Sequence, residues 1–370
     1  MMTEIDRVEL RRVRLPLVHR FQTSSHAKRE LEHILVTLTG ADGTVGWGEI
    51  ASPSGPFYSA ETVESCWAVA RSFLAPMLLR TSWEHPSELP VVRGNYFARA
   101  GFDMAAWDLW SRSRGLSLAA ALGGTRTNVE AGVSLGIEPT IGDLLEQVDR
   151  RAAEGYRRVK LKIAPGWDVS PVKAVKKKYP ILRVHVDANG AYPPGETSIF
   201  HALDELGLDM IEQPYPPRAL LAHAELQKMI TTPICLDESI EEVDDLATAL
   251  HLGAGRIVNL KVSRMGGLTS AVQAHDLARR HGIPVWCGGM HEFGIGRAAN
   301  VALSALPGFT LPSDVSGSDK YYARDVTTEP VVCTGGLVDV PDGPGLGFEA
   351  DLEFITAHTT ATETLSRKRR

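Results

Sequence analysis

Five short apolar runs in this chain each end in an ionisable residue, and the five ends fall at an almost constant interval. The runs are VKLKI at 159–163, VDANGAY at 186–192, MIEQP at 210–214, CLDES at 235–239 and NLKVSRMGG at 259–267. Their polar ends are Lys162, Asp187, Glu212, Asp237 and Lys261, spaced 25, 25, 25 and 24 residues apart. A fixed period without a repeated sequence indicates one structural unit copied along the chain. About 25 residues accommodates a strand of about 5, a helix of 10–12 and two short loops. That is the unit of a parallel (β/α)8, or TIM, barrel.

Barrel geometry turns this spacing into chemistry. The carboxyl ends of successive strands converge on one face, so the five groups are expected to point into one bowl. A single Asp or Glu at a strand end commonly caps the following helix. Three at equal spacing, flanked by two lysines in the same rhythm, point instead to a shared cation. Crowded carboxylates repel unless a cation neutralises them. An all-oxygen set suits Mg²⁺, with Mn²⁺ or another divalent ion able to substitute.

Lys160 and Lys162 lie two apart on one strand and so project to the same side. Lys261 ends the sixth strand, across the ring from the second. A lysine near a second lysine and near a divalent cation has its charged form disfavoured, which is expected to bring its pKa toward general-base range. Two such bases on opposite sides of a metal can take a proton from one face of a carbon and return one to the other. The proton expected is one α to a carboxylate, with Mg²⁺ stabilising the enediolate. Arg264 is placed either to hold the Lys261 pKa low or to bind an anionic group.

The rest of the 370 residues fits around this centre. Residues 1–125 read as an α+β capping domain: alternating strands to residue 50, then helices over 61–122. The polar stretches 19–30 and 51–59 read as flexible loops, suited to be lids over the barrel mouth or plain surface loops. The barrel is assigned to 126–323. Its first strand is VEAGVSLGI at 129–137, its seventh IPVWCGG at 283–289 and its eighth FTLPSD at 309–314. Residues 324–370, rich in Gly and Pro at first, are expected to return to the capping domain. A formal charge of −6 argues against nucleic acid or an anionic membrane as partner. Four scattered cysteines and no long apolar run suggest a soluble cytoplasmic protein.

These residues also carry a family resemblance. KLK, DANGAY, IEQP, LDES, NLKVSRMGG and VWCGGMHEFGIGRAAN, in that order, resemble the muconate-lactonising subgroup of the enolase superfamily. Within it the chain is similar to the N-acylamino acid racemase / o-succinylbenzoate synthase family, from LPLVHRFQTS and GWGE to LPSDVSGSD and GPGLG. The resemblance implies a modified barrel, (β/α)7β, whose capping domain the C-terminal segment completes. It implies metal ligands at Asp187, Glu212 and Asp237, acid/base lysines at Lys162 and Lys261, and support from Lys160 and Arg264. It places Ser134, Asn189, Gly289, Met290, His291, Phe293, Phe21 and Tyr58 around a small-molecule carboxylate substrate, in a homo-oligomer from dimer to octamer. His291 and Phe293 depart from the family pattern, and a phenyl ring at 293 is expected to reshape the pocket. A base role for His291 is the lesser reading, a pocket-wall or solvent-facing histidine the greater. The activity implied is racemisation of N-acyl, chiefly N-succinyl, amino acids. The alternative is syn dehydration to o-succinylbenzoate in menaquinone synthesis. A barrel that binds a small acid without turning it over is the third.

Overall fold

The computed structural model describes residues 2–22 and 27–368, with side chains throughout except at 20–22 and 27–28. Three antiparallel strands begin the chain, β1 (Thr3–Gln22), β2 (Ala27–Gly40) and β3 (Val45–Ile50). Asp42 ties the turn before β3, its carboxylate accepting from the Thr44 backbone and hydroxyl at 2.9 Å each. The short β4 (Ser82–Trp83) pairs with the start of β1. Stretch 19–30 is therefore not all loop. Residues 19–22 and 27–30 extend the first hairpin beyond a register shift between Pro16 and Phe21, and residues 23–26 lie outside the described residues.

The helix Tyr96–Arg112 covers this sheet and is buried nearly all round. It can be apolar on every side because its second face meets the barrel. There Trp107 Nε1 donates to Thr269 Oγ1 at 2.9 Å, and Asp103 accepts from the Thr269 backbone at 3.0 Å. Close approach of helix and sheet depends on glycine: a methyl group at Gly48 would collide with the Gly101 backbone oxygen.

Past β5 (Asn128–Glu130) the parallel sheet begins. Its strands, in chain order and in spatial order, are β6 (Gly132–Leu135), β7 (Arg158–Lys162), β8 (Arg183–Asp187), β9 (Ile211–Glu212), β10 (Ile234–Leu236), β11 (Ile257–Leu260) and β12 (Val285–Cys287). The eighth position is held more loosely than FTLPSD suggests. Two parallel bridges, Phe309 to Val285 and Ser313 to Ala131, close the ring between β12 and β6. Pro312, with no N–H to donate, interrupts a regular ladder there. The result is a curled seven-stranded parallel sheet with an eighth rung. Residues facing the helices, such as Val159, Leu161, Val184, Val186 and Leu260, are buried in one continuous core.

The C-terminal segment divides its contacts. The strand β13 (Leu337–Asp339) pairs antiparallel with β5, beside the barrel, and only β14 (Thr359–Ser366) returns to the first sheet, against β1. Helix Gly294–Ser304 joins sheet and barrel through Glu49. That side chain, at the end of β3, accepts from the backbone N–H of Phe293 and of Gly296, both at 2.8 Å. No helix among the described residues is long and apolar enough to cross a membrane.

Candidate active site

Register places the ladder on one level. Lys162 is the partner of Asp187 in the β7–β8 pair, and Asp187 the partner of Glu212 in the β8–β9 pair. Asp237 follows β10, two residues past the partner of Glu212 and so on the same face. One carboxylate oxygen from each of Asp187, Glu212 and Asp237 lies within 4.8 Å of the others, and all three residues are fully buried.

Cations surround the triad. Lys160 Nζ stands 2.9 Å from Asp187 Oδ2 and 2.8 Å from Glu212 Oε2, and Lys162 Nζ is 2.6 Å from Asp187 Oδ2. Across the ring Lys261 Nζ is 2.9 Å from Asp237 Oδ2, whose Oδ1 is gripped by Arg264 Nη1. Burial pushes the Glu212 carboxyl up to about 8, with Asp187 adding to it. Burial also lifts Asp237, but Lys261 and Arg264 outweigh it and hold the carboxyl below its ordinary range. Three buried carboxylates with no nitrogen or sulfur donor suit a hard divalent cation. Glu212 Oε2, which faces the Lys160 ammonium at 2.8 Å, is an oxygen such an ion could engage.

The lowered lysine pKa expected from sequence presumes a bound cation, and among the protein groups alone the balance runs the other way. Burial favours neutral lysine, but Asp187 and Glu212 outweigh it at Lys160, which stands well above the ordinary lysine value. Asp237 does the same at Lys261. The protein groups alone therefore keep these ammoniums charged. A cation that absorbed the carboxylates' field would relieve this hold. Arg264 does oppose the charge on Lys261, as one expected role had it, but Asp237 dominates. Its other expected role, binding an anionic group, is filled by Asp237 itself. The guanidinium is spent on Asp237, on the Ile240 carbonyl at 2.8 Å and on the Asn259 carbonyl at 2.7 Å.

A cavity of about 190 Å³ opens onto these lysines. Of the residues expected around a substrate, Ser134, Asn189, Gly289, Met290, His291 and Tyr58 all line it. Asn189, in the left-handed region at φ 46°, accepts from Lys162 Nζ at 2.7 Å and donates to Glu238 Oε1 at 2.8 Å. Tyr58 comes from the 51–59 loop, and its hydroxyl accepts from Lys261 Nζ at 3.0 Å. That loop thus reaches the barrel mouth. His291 faces the cavity with its ring stacked on Tyr321, centroids 4.8 Å apart, in keeping with a pocket wall.

Two expectations do not carry over. Phe293 is fully buried, 4.5 Å from the His33 ring and edge-on to Tyr322, so it is a core residue behind the cavity and not part of its lining. The side chain of Phe21 lies outside the described residues.

The sequence reading missed several neighbours. Glu238, next to Asp237 in CLDES, lines the cavity, and burial raises its carboxyl to about 7 with help from Asp237. Asp314, at the eighth rung, holds Arg158 at 2.8 Å and lies 3.8 Å from Lys160. Gln213, at φ 39°, accepts from the Asp237 backbone at 2.9 Å and donates to Ser239 Oγ at 2.7 Å, locking the strand ends of Glu212 and Asp237 together. Asn259 donates to Glu212 Oε1 at 2.8 Å. Of these, Glu238 and Gln213 carried a signal, each standing beside a ladder residue.

Known proteins resemble the chain over its whole length. Residues 5–123 match the family described as mandelate racemase / muconate lactonizing enzyme, N-terminal domain, and residues 143–354 match that described as enolase C-terminal domain-like. An N-succinylamino acid racemase of Amycolatopsis sp. is 46% identical over 96% of this chain and 97% of its own. An o-succinylbenzoate synthase of Geobacillus kaustophilus is 44% identical over 97% of each. A solved enolase-superfamily structure from Listeria innocua superposes with a TM-score of 0.96 at 35% identity, covering 99% of this chain and all of that one.

Proposed function

Since this chain belongs to the enolase superfamily, as an enzyme with both mandelate racemase / muconate lactonizing enzyme domains, we propose that it abstracts a proton α to a carboxylate with Mg²⁺ and two lysine acid/bases. Its leading reaction is racemisation of N-acyl, chiefly N-succinyl, amino acids. The observation that carries this reading is the pair Lys162 and Lys261. They project from the second and sixth barrel positions into one cavity, with the carboxylate triad between them.

Asp187, Glu212 and Asp237 would hold the ion. A divalent cation there supplies Lewis-acid stabilisation to the enediolate charge as it develops. Lys162, oriented by Asn189, takes the α-proton from one face of the substrate carbon. Lys261, held by Asp237 and Tyr58, delivers a proton to the other face, and the roles exchange for the opposite enantiomer. Lys160, bound to Asp187 and Glu212, keeps those carboxylates placed and adds positive potential beneath the cavity. The loop bearing Tyr58 limits water at the barrel mouth. Buried, unpaired Cys66, Cys235 and Cys287 fit a reducing cytoplasm as its setting.

A second reading, syn dehydration to o-succinylbenzoate, is favoured by relatives such as the Geobacillus protein that carry that name at 44% identity. There Lys162 removes the proton while Lys261 stays charged. Chiral chromatography of N-succinyl-L-phenylalanine incubated with enzyme and Mg²⁺ separates the readings when the cyclohexadiene precursor of o-succinylbenzoate is run in parallel. Growth of the D enantiomer to an equal mixture supports racemisation. Turnover of the cyclohexadiene alone supports the synthase, and turnover of neither overturns both.

A further inference from the structure

The two lysines that face each other across the cavity are held in different ways. Lys261 Nζ donates to Asp237 Oδ2 at 2.9 Å and to the Tyr58 hydroxyl at 3.0 Å. Lys162 Nζ donates to Asp187 Oδ2 at 2.6 Å and to Asn189 Oδ1 at 2.7 Å. The other end of that amide, Asn189 Nδ2, donates to Glu238 Oε1 at 2.8 Å. An ammonium has three N–H directions. Asp187 and Asn189 take two of them at Lys162, which leaves the third for the cavity that Lys162, Asn189 and Glu238 all line.

What Asn189 presents to Lys162 depends on Glu238. A carboxamide has nearly the same shape at both ends, so its neighbours decide which end turns which way. The Glu238 carboxylate claims the NH2 and so turns the carbonyl oxygen toward the lysine. Among the described hydrogen bonds no other fixes the Nδ2 end. The backbone on both sides is pinned. The Asn189 N–H donates to Asp187 Oδ1 at 2.9 Å, with the residue at φ 46°. The N–H groups that flank Glu238, those of Asp237 and Ser239, donate to one Gln213 oxygen at 2.9 and 3.3 Å. A lost carboxylate at 238 is therefore not made good by a shift of the chain. The charges of both lysines act on Glu238, but the described hydrogen bonds run from it to Lys162 alone.

We infer that Glu238 is a positioning residue for one face of the reaction: through Asn189 it aims Lys162, and it leaves Lys261 to Asp237 and Tyr58. The inference rests on the reading of the two lysines as acid/bases given above. It makes the two halves of the site separable, since a change at 238 should reach one lysine and spare the other.

The test places Glu238→Met and Glu238→Gln in two Mg²⁺-loaded backgrounds, Lys261→Ala, where Lys162 is the remaining base, and Lys162→Ala, where Lys261 is. Exchange of the α-proton of N-succinylphenylalanine with D₂O is followed for the enantiomer that each background retains. Loss of a hydrogen bond to a charged group, and the misaligned amine it leaves, predict that Glu238→Met slows exchange about tenfold or more beside Lys261→Ala. Beside Lys162→Ala it should change the rate little. Glu238→Gln, with one acceptor oxygen at the same reach, should keep most of the rate in both. Equal slowing in the two backgrounds, slowing in neither, a Glu238→Gln as slow as Glu238→Met, or a loss of Mg²⁺ affinity by calorimetry that matches the lost rate would overturn the inference. Crystal structures of the wild type and Glu238→Met are read alongside. Lys162 Nζ displaced from Asn189 in Glu238→Met upholds the positioning role even if neither background exchanges a proton, a result that would sink the two-lysine reading instead.

Discussion

Lys162→Ala and Lys261→Ala should each abolish interconversion of N-succinylphenylalanine enantiomers, with losses of about 10²–10⁴-fold, yet each should still exchange the α-proton of one enantiomer with solvent. The asymmetry follows from placement. The two amines approach the substrate carbon from opposite sides of the ring, so removing one leaves the other able to take and return a proton on its own face. The two variants should spare opposite enantiomers. Enantiomer-resolved deuterium incorporation reads this directly. A variant that loses exchange of both enantiomers equally would mean that its lysine serves binding or metal placement and not one face. Lys160→Ala, by contrast, should lower both directions together, since its ammonium is bound to Asp187 and Glu212 beneath the cavity.

Asp237→Asn should lose Mg²⁺ binding and also destabilise the fold by about 3 kcal/mol, the usual cost of removing one partner from a buried ion pair. Asp237 is the carboxylate for two cations, Lys261 at 2.9 Å and Arg264. Both are nearly inaccessible to water, so the neutral amide leaves two buried positive charges facing each other. Calorimetric titration with Mg²⁺ reports the first effect and thermal unfolding in EDTA the second. Undiminished stability would show that Arg264 finds enough compensation in the Ile240 and Asn259 carbonyls. Undiminished Mg²⁺ affinity would remove Asp237 from the ligand set.

Much of this site is visible in the chain before it folds, because barrel periodicity converts spacing into position. Lys162, Asp187, Glu212, Asp237 and Lys261 needed only a 25-residue rhythm and the convergence of strand ends to be brought together. What eluded the sequence is set by contacts between distant segments. Arg158 meets Asp314 across 156 residues, and Asn259 reaches Glu212 across 47. No local pattern records either distance. The field on Lys160 and Lys261 is set by carboxylates 2.8–2.9 Å away, and spacing does not give distances. Phe293 was placed in the pocket by its neighbours GGM, but the turn into helix Gly294–Ser304 directs its ring into the core against His33. Composition misled too: a polar stretch at 19–30 can extend a hairpin when its partner strand supplies the ladder.

The most direct test of a metal-assisted, lysine-mediated proton transfer is proton NMR of enantiopure N-succinylphenylalanine in D₂O with the wild-type protein, with Mg²⁺ and again after chelation. The account predicts that the α-proton signal decays with Mg²⁺ present, stops decaying on chelation and resumes when Mg²⁺ is restored. Exchange that persists at the same rate in excess chelator would contradict it, because the carboxylate triad would then have no part in acidifying the α-carbon.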